Sequence, residues 1–159
     1  MPKCEVVGLD FVDRAGVVIK ADVELAANPA QVWQVLNDTD RWPEWFDGMK
    51  TAAVTSPKWD GVGSTRSVRV GPLVVDEQMI TWQPDQQWGF CATRMNALGW
   101  IAKRMVEIVD ITPNGSGSTV AYTGALDPLP WIKPFSGLLK KQMTNAWATS
   151  LPNIDGQIR

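Results

Sequence analysis

Between residues 49 and 126 the sequence offers one strand-like segment after another and no helical pattern, and this run constrains the fold more than any other feature. Six segments carry it: KTAAVTS at 50–56, STRSVRV at 64–70, LVVDEQMITWQ at 73–83, QWGFCATRM at 87–95, GWIAKRMVEIVDIT at 99–112 and STVAYTGAL at 118–126. Each mixes β-branched or aromatic residues with polar ones and is bounded by turn formers. The turns are WDGVG, VGP, PDQQ and PNGSG, and Asn114-Gly115 in the last suits a hairpin loop. Tight turns make neighbours antiparallel, so the run predicts a meander, curved if it wraps an interior.

What flanks the meander fixes the fold class. Within 16–28, Val17, Ile19, Ala21, Val23 and Leu25 alternate with Val18, Lys20, Asp22, Glu24 and Ala26, the period of a strand with one buried face. Asn28-Pro29-Ala30-Gln31 then reads as a capping box with proline at the first helical position. The helix it opens carries Val32, Val35 and Leu36 on one stripe and runs to about Asp38. Thr39 or Asp40 caps a second short helix, in which Pro43 is tolerated because first-turn N–H groups lack partners anyway. Trp42, Trp45 and Phe46 then project from this corner onto whatever lies beneath it, and Gly48 ends it. After LDPLP, Phe135, Leu138, Leu139, Met143, Ala146 and Trp147 recur at three- and four-residue spacing, with Gln142 interrupting the stripe. This predicts a long helix from Pro130 to about Leu151 and a fraying tail, NIDGQIR. The order is strand, two short helices, strands, one long helix. It reads as an α+β domain spanning 1–159, with its core at about 16–151: a curved antiparallel sheet of about seven strands around the C-terminal helix, the first strand beside the last.

Composition narrows the chemistry. There is no histidine, which removes Ser–His and Cys–His pairs and every histidine-bearing metal motif. Two cysteines, Cys4 and Cys91, are too few for structural zinc and read as reduced thiols. The sequence calls for no cofactor and no metal. Net charge is −2 with a pI near 5.1, so no basic field recruits nucleic acid. No apolar run approaches the ~20 residues of a membrane span, and no leader pattern opens the chain, so stable membrane insertion is not expected and a cytoplasmic location is. Oligomeric state is left open. Nine tryptophans stand against one tyrosine, which calls for an aromatic core or a large apolar cavity.

The stretch ELAANPAQVWQVLNDTDRWPEWFDGMK resembles the opening signature of the START-like (SRPBCC) superfamily, in its polyketide cyclase/dehydrase and lipid-transport branch. The shared pattern is an apolar strand, a Pro-x-x-Val-Trp helix and an Asp-x-x-x-Trp-Pro-x-Trp corner. The strand ending at Gln83-Pro84-Asp85, the hairpin at 115–119 and the closing amphipathic helix follow in the same order, so the likeness covers roughly 16–147. It implies a helix-grip fold enclosing an elongated apolar cavity between the curved sheet and the last helix.

Candidate ligand-binding residues follow from which faces line that cavity. In the corner, Trp45 belongs to the lid; on the helix, Leu139, Gln142, Met143 and Trp147 face the cavity or simply pack. In LVVDEQMITWQ each face carries one charge, and the apolar ends lean towards Val75, Glu77 and Met79 inside. In the 99–112 segment, Met105, Glu107, Val109 and Ile111 alternate more cleanly than the opposite set, which turns Glu107 inward. An inward Glu77–Glu107 pair is the sharper reading; two solvent-facing carboxylates on a half-exposed sheet is the plainer and favoured one. Trp88 and Phe90 share a face, and Tyr122 offers the only phenol. Arg66 and Arg69 read as solvated, although an inward arginine would suit a carboxylate or enolate oxygen.

Three functions compete. Binding or carriage of a hydrophobic small molecule (a lipid, a polyketide-like compound or an isoprenoid) needs only the cavity and is favoured. A polyketide aromatase/cyclase would use positioning and acid–base residues in the same space, marked by an inward cluster of Arg, Tyr, Glu or Asp. A protein-interaction or toxin-like regulatory role would show an exposed apolar patch, for which Trp59 and Trp131 are candidates.

Overall fold

Alternation produces the strands, and the capping signals place the helices between them. The computed structural model describes residues 1–96 and 100–158. Strand β1 (Val17–Leu25) leads through α1 (Pro29–Asn37) and the short α2 (Trp42–Trp45) into the meander. The meander is β2 (Met49–Val54), β3 (Thr65–Val70), β4 (Leu73–Gln83), β5 (Gln87–Met95), β6 (Ala102–Asn114) and β7 (Gly117–Pro128), and α3 (Ser136–Ser150) follows. The sheet has seven strands in the order β1-β7-β6-β5-β4-β3-β2, all antiparallel, with the first strand beside the last as its pattern predicts. Register shifts at Asp76/Glu77 and Met79/Thr81 interrupt the β4–β5 ladder, the kind of irregularity that bends a strand. The sheet curves around α3 in the helix-grip arrangement.

The capping box forms with both reciprocal bonds: the Gln31 N–H donates to Asn28 Oδ1 at 3.0 Å and the Asn28 N–H to Gln31 Oε1 at 2.9 Å. A 3₁₀ turn (Thr39–Arg41) then passes into α2, and the Trp42 indole N–H donates to the Leu36 carbonyl at 2.9 Å, tying the corner back onto α1. Gly48 leaves the corner at φ +79°, a backbone state that glycine adopts without strain. Trp42, Trp45 and Phe46 are all buried.

Three elements differ from the sequence expectation. The long helix begins at Ser136 rather than Pro130, because residues 129–135 are held as turns, with the Leu129 N–H bonded to the Ile101 carbonyl and a 3₁₀ turn at Lys133–Phe135. Its buried side is narrower than the apolar stripe: Trp147 is buried, Leu139, Met143 and Ala146 are half-buried, and Phe135 and Leu138 face solvent. The tail does not fray. Leu151–Gln157 forms a 3₁₀ turn that buries Leu151 and Ile154, and the Asp155 carboxylate accepts the N–H groups of Ala26 (2.9 Å) and Ala27 (2.8 Å) just past β1. Strand β6 begins at Ala102; Gly99, placed in that strand by its sequence, lies outside the described residues.

The N-terminal segment does more than its sequence announces. β5 and β6 pair directly only from Gln87–Asp110 to Cys91–Val106. Beyond that, residues 2–5 lie between them: the Cys4 N–H donates to Thr93 O, the Glu5 N–H to Lys103 O and the Met95 N–H to Pro2 O. A 3₁₀ turn (Leu9–Asp13) then lays Phe11 on Cys91, Val106 and Ala125, a second small core separate from the main one.

Candidate functional site

The main core is not filled. Apolar side chains of Phe46, Val68, Phe90, Met105, Met143 and Trp147 wall a cavity of 120 Å³, measured to the centres of water-sized spheres, against the ~10–15 Å³ that one water needs. Three ionisable side chains break this apolar lining: Arg66, Glu77 and Glu107.

Register brings them together. Arg66 on β3 stands directly across from Glu77 on β4, and its Nε donates to Glu77 Oε2 at 2.5 Å with both side chains at most 4% exposed. The guanidinium lies over aromatic faces, 4.1 Å from the Trp42 ring centroid, 4.8 Å from Trp88 and 5.4 Å from Phe90. Its Nη1 is buried and has no hydrogen-bond partner among the described residues. On β6, Glu107 accepts the Tyr122 hydroxyl at 3.0 Å. Gly124 sits opposite Glu107 in the β6–β7 register, and a Cβ there would lie 2.3 Å from the Tyr122 oxygen; the bare backbone makes room for that contact. Tyr122 stacks on Trp147 of α3 with ring centroids 4.1 Å apart.

Electrostatics divides the two carboxyls. Burial pushes Glu77 up from its ordinary range, while the charge and hydrogen bond of Arg66 oppose this. Burial raises Glu107 to about 8, the neighbouring Glu77 charge adds to the rise, and Tyr122, Arg66 and Trp147 pull the other way. Burial, with the adjacent Glu107, also raises the Tyr122 phenol. One guanidinium in an apolar cavity balances one carboxylate. Glu77 bonds that guanidinium directly, and Glu107, without a cation partner of its own, is the carboxyl that burial keeps protonated at neutral pH.

Of the residues singled out from sequence, Glu77, Phe90, Glu107, Met143 and Trp147 line the cavity. Tyr122 stands behind Glu107, and Trp88 stacks on Trp42 with centroids 5.2 Å apart. Met79 is fully buried in the core, Trp45 packs against Trp42, and Leu139 is half-buried against the same core. Gln142 is exposed; the narrower buried side of α3 turns it to solvent. The favoured solvent-facing reading of the two carboxylates is thus replaced by the inward pair. Arg66, read as solvated, is buried, whereas Arg69 is exposed as expected. The signal for Arg66 was its place directly opposite Glu77, which only the β3–β4 register reveals. Trp59 seals rather than projects: its indole N–H donates to Asn37 O at 3.0 Å and its ring meets Trp82 edge-on.

Comparison with known proteins places this geometry. The family described as polyketide cyclase/dehydrase and lipid transport matches residues 17–155. The chain belongs to that family. A Mycobacterium tuberculosis relative, uncharacterized protein Rv2574, is 38% identical over 99 residues, a match covering 59% of each chain. Among solved structures, a START superfamily protein from Mycobacterium smegmatis superposes with a TM-score of 0.73 at 17% identity, over 90% of this chain and 97% of that one. TTHA0849 from Thermus thermophilus gives 0.75 at 14% identity, over 89% and 96%. The di-domain ARO/CYC StfQ of the steffimycin biosynthetic pathway gives 0.75 at 9% identity, over 92% of this chain and 51% of that one. At these identities the structural likenesses speak to fold. Family and fold together suggest a hydrophobic ligand-binding or polyketide cyclase-like role.

Proposed function

We propose that this member of the family binds and carries a small, mostly apolar molecule that presents one anionic or strongly polarised oxygen to Arg66. The observation behind this reading is the buried Nη1 of Arg66, a donor without a partner among the described residues, beside an apolar cavity. A buried donor left unsatisfied costs on the order of 1–3 kcal/mol, more when charged, and a ligand oxygen removes that cost. The apolar walls supply the remaining affinity. The test is titration with 1-naphthoate and with neutral 1-methylnaphthalene, read by quenching of tryptophan fluorescence. Naphthoate is expected to bind at least ~10-fold tighter. The Arg66→Met/Glu77→Leu double variant, which strands no charge, is expected to erase the preference. Equal affinities in the native protein, or quenching by neither compound, would sink the proposal.

A second reading rests on Glu107. The inward Arg–Glu–Glu–Tyr cluster is the mark expected of a cyclase, and a carboxyl with a pKa of about 8 is a proton donor at neutral pH. With Arg66 holding a substrate carbonyl oxygen, Glu107 would protonate that oxygen while water removes the α-proton, giving the enol. Deuterium exchange α to the carbonyl of 1-tetralone, followed by NMR, tests this: exchange above the solvent rate that Glu107→Gln abolishes while binding persists supports catalysis. Solvent-rate exchange leaves binding alone.

A further inference from the structure

We infer that the turn before α3 and the first turn of that helix dock on an anionic lipid bilayer surface, next to elements that wall the cavity. Three large apolar side chains stand out there within eight residues: Trp131 at 56% exposure, Phe135 at 61% and Leu138 at 56%. Phe135 caps the start of α3 and Leu138 lies in its first turn, so the two exposed side chains stand at the same end of the helix, ahead of the buried Trp147. Trp131 packs edge-on against Trp100, with ring centroids 5.6 Å apart, which fixes it as a projecting anchor.

Charge selects the occupant. Between Asp127 and Asp155 the chain has Lys133, Lys140 and Lys141 and no acidic residue, so this segment is +3 while the total is −2. All three lysines are exposed, and none forms an ion pair among the described residues. An apolar tip on a segment that carries three exposed lysines, in an acidic protein, matches an anionic interface, where aliphatic and aromatic groups enter and ammonium groups meet phosphates. A second copy of the chain fits poorly, because a self-complementary contact would face +3 against +3.

The segment adjoins the elements that wall the cavity. The Leu129 N–H is bonded to the carbonyl of Ile101, which lines the cavity, and α3 supplies Met143, Ala146 and Trp147 to its wall. Docking therefore sets that wall against the bilayer, where an apolar ligand enters or leaves without crossing water.

The experiment is vesicle flotation with phosphatidylcholine alone and with 30% phosphatidylglycerol, at low and high salt. The native protein is expected to float only with anionic vesicles and to be released by high salt. Each lysine near the surface is worth about fivefold in affinity, so Lys140→Glu/Lys141→Glu is expected to weaken binding by at least ~25-fold. Phe135→Ser/Leu138→Ser is expected to abolish flotation as well. All four positions are exposed, and an unchanged far-UV spectrum with intact naphthoate titration separates lost docking from a lost fold or lost cavity. Four results overturn the inference: no flotation, equal flotation on neutral vesicles, indifference to the lysine reversals, or a dimer through this face that Leu138→Lys dissolves.

Discussion

Glu107→Gln isolates the protonated carboxyl that the cavity requires. Glu107 has an ordinary value of 4.5 and is raised to about 8 in the fold. The folded protein therefore keeps a proton that the unfolded chain releases above pH 4.5. The contribution is fully present below pH 4.5 and is lost as pH rises to about 8, at roughly 1.4 kcal/mol per unit and about 5 kcal/mol in total. Glutamine keeps the shape and the acceptor for the Tyr122 hydroxyl but cannot ionise. Urea unfolding at pH 5, 6, 7 and 8, followed by far-UV circular dichroism, gives the stability of both proteins. The advantage of the native protein over the variant is expected to shrink by about 4 kcal/mol from pH 5 to pH 8. The opposing pH trend of Glu5, lowered by Lys103 and Arg104, is common to both proteins and cancels in the difference. Curves that stay parallel within about 1 kcal/mol would refute a Glu107 held neutral by burial.

Three other substitutions probe the framework. Arg66→Met leaves Glu77 buried without its cation and is expected to cost about 3–5 kcal/mol in urea unfolding, most of it recovered by adding Glu77→Leu. Asp155→Ala removes the acceptor for two backbone N–H groups past β1 and is expected to cost about 2–3 kcal/mol, with faster hydrogen exchange at Ala26 and Ala27. Gly117→Ala places a Cβ 2.1 Å from the Leu25 carbonyl and is expected to pry β1 from β7, lowering stability by about 1–3 kcal/mol with faster exchange along β1.

Period and punctuation made most of the architecture legible. The LVVDEQMITWQ and QWGFCATRM strands fall at the residues their patterns give, and Asn28-Pro29-Ala30-Gln31 caps α1 as it reads. Faces were harder wherever a strand carries a charge on each side. Glu77 and Asp76 are chemically alike, and only the curvature and the aromatic ceiling of Trp42, Trp88 and Phe90 decide which one is enclosed. Arg66 became part of the site through its cross-strand partner, a long-range relation that local periodicity does not contain. The apolar stripe of α3 is wider than the core it serves, so the cavity candidate Gln142 and the stripe residues Phe135 and Leu138 are held by solvent. The tail was read as loose because its few apolar residues have no period; Asp155 anchors it to backbone 128 positions away.

The insertion of residues 2–5 between β5 and β6 gives this sheet an internal seam rather than only outer edges. The seam is closed by a peptide joined to β1 through the Leu9–Asp13 turn, so its closure draws on the high local concentration that this tether supplies. Where that peptide lifts away, two unpaired strand edges open in mid-sheet, near residues that pack against the cavity. A free peptide with the same alternation would then compete for the slot, and two molecules could exchange their leading segments and become linked.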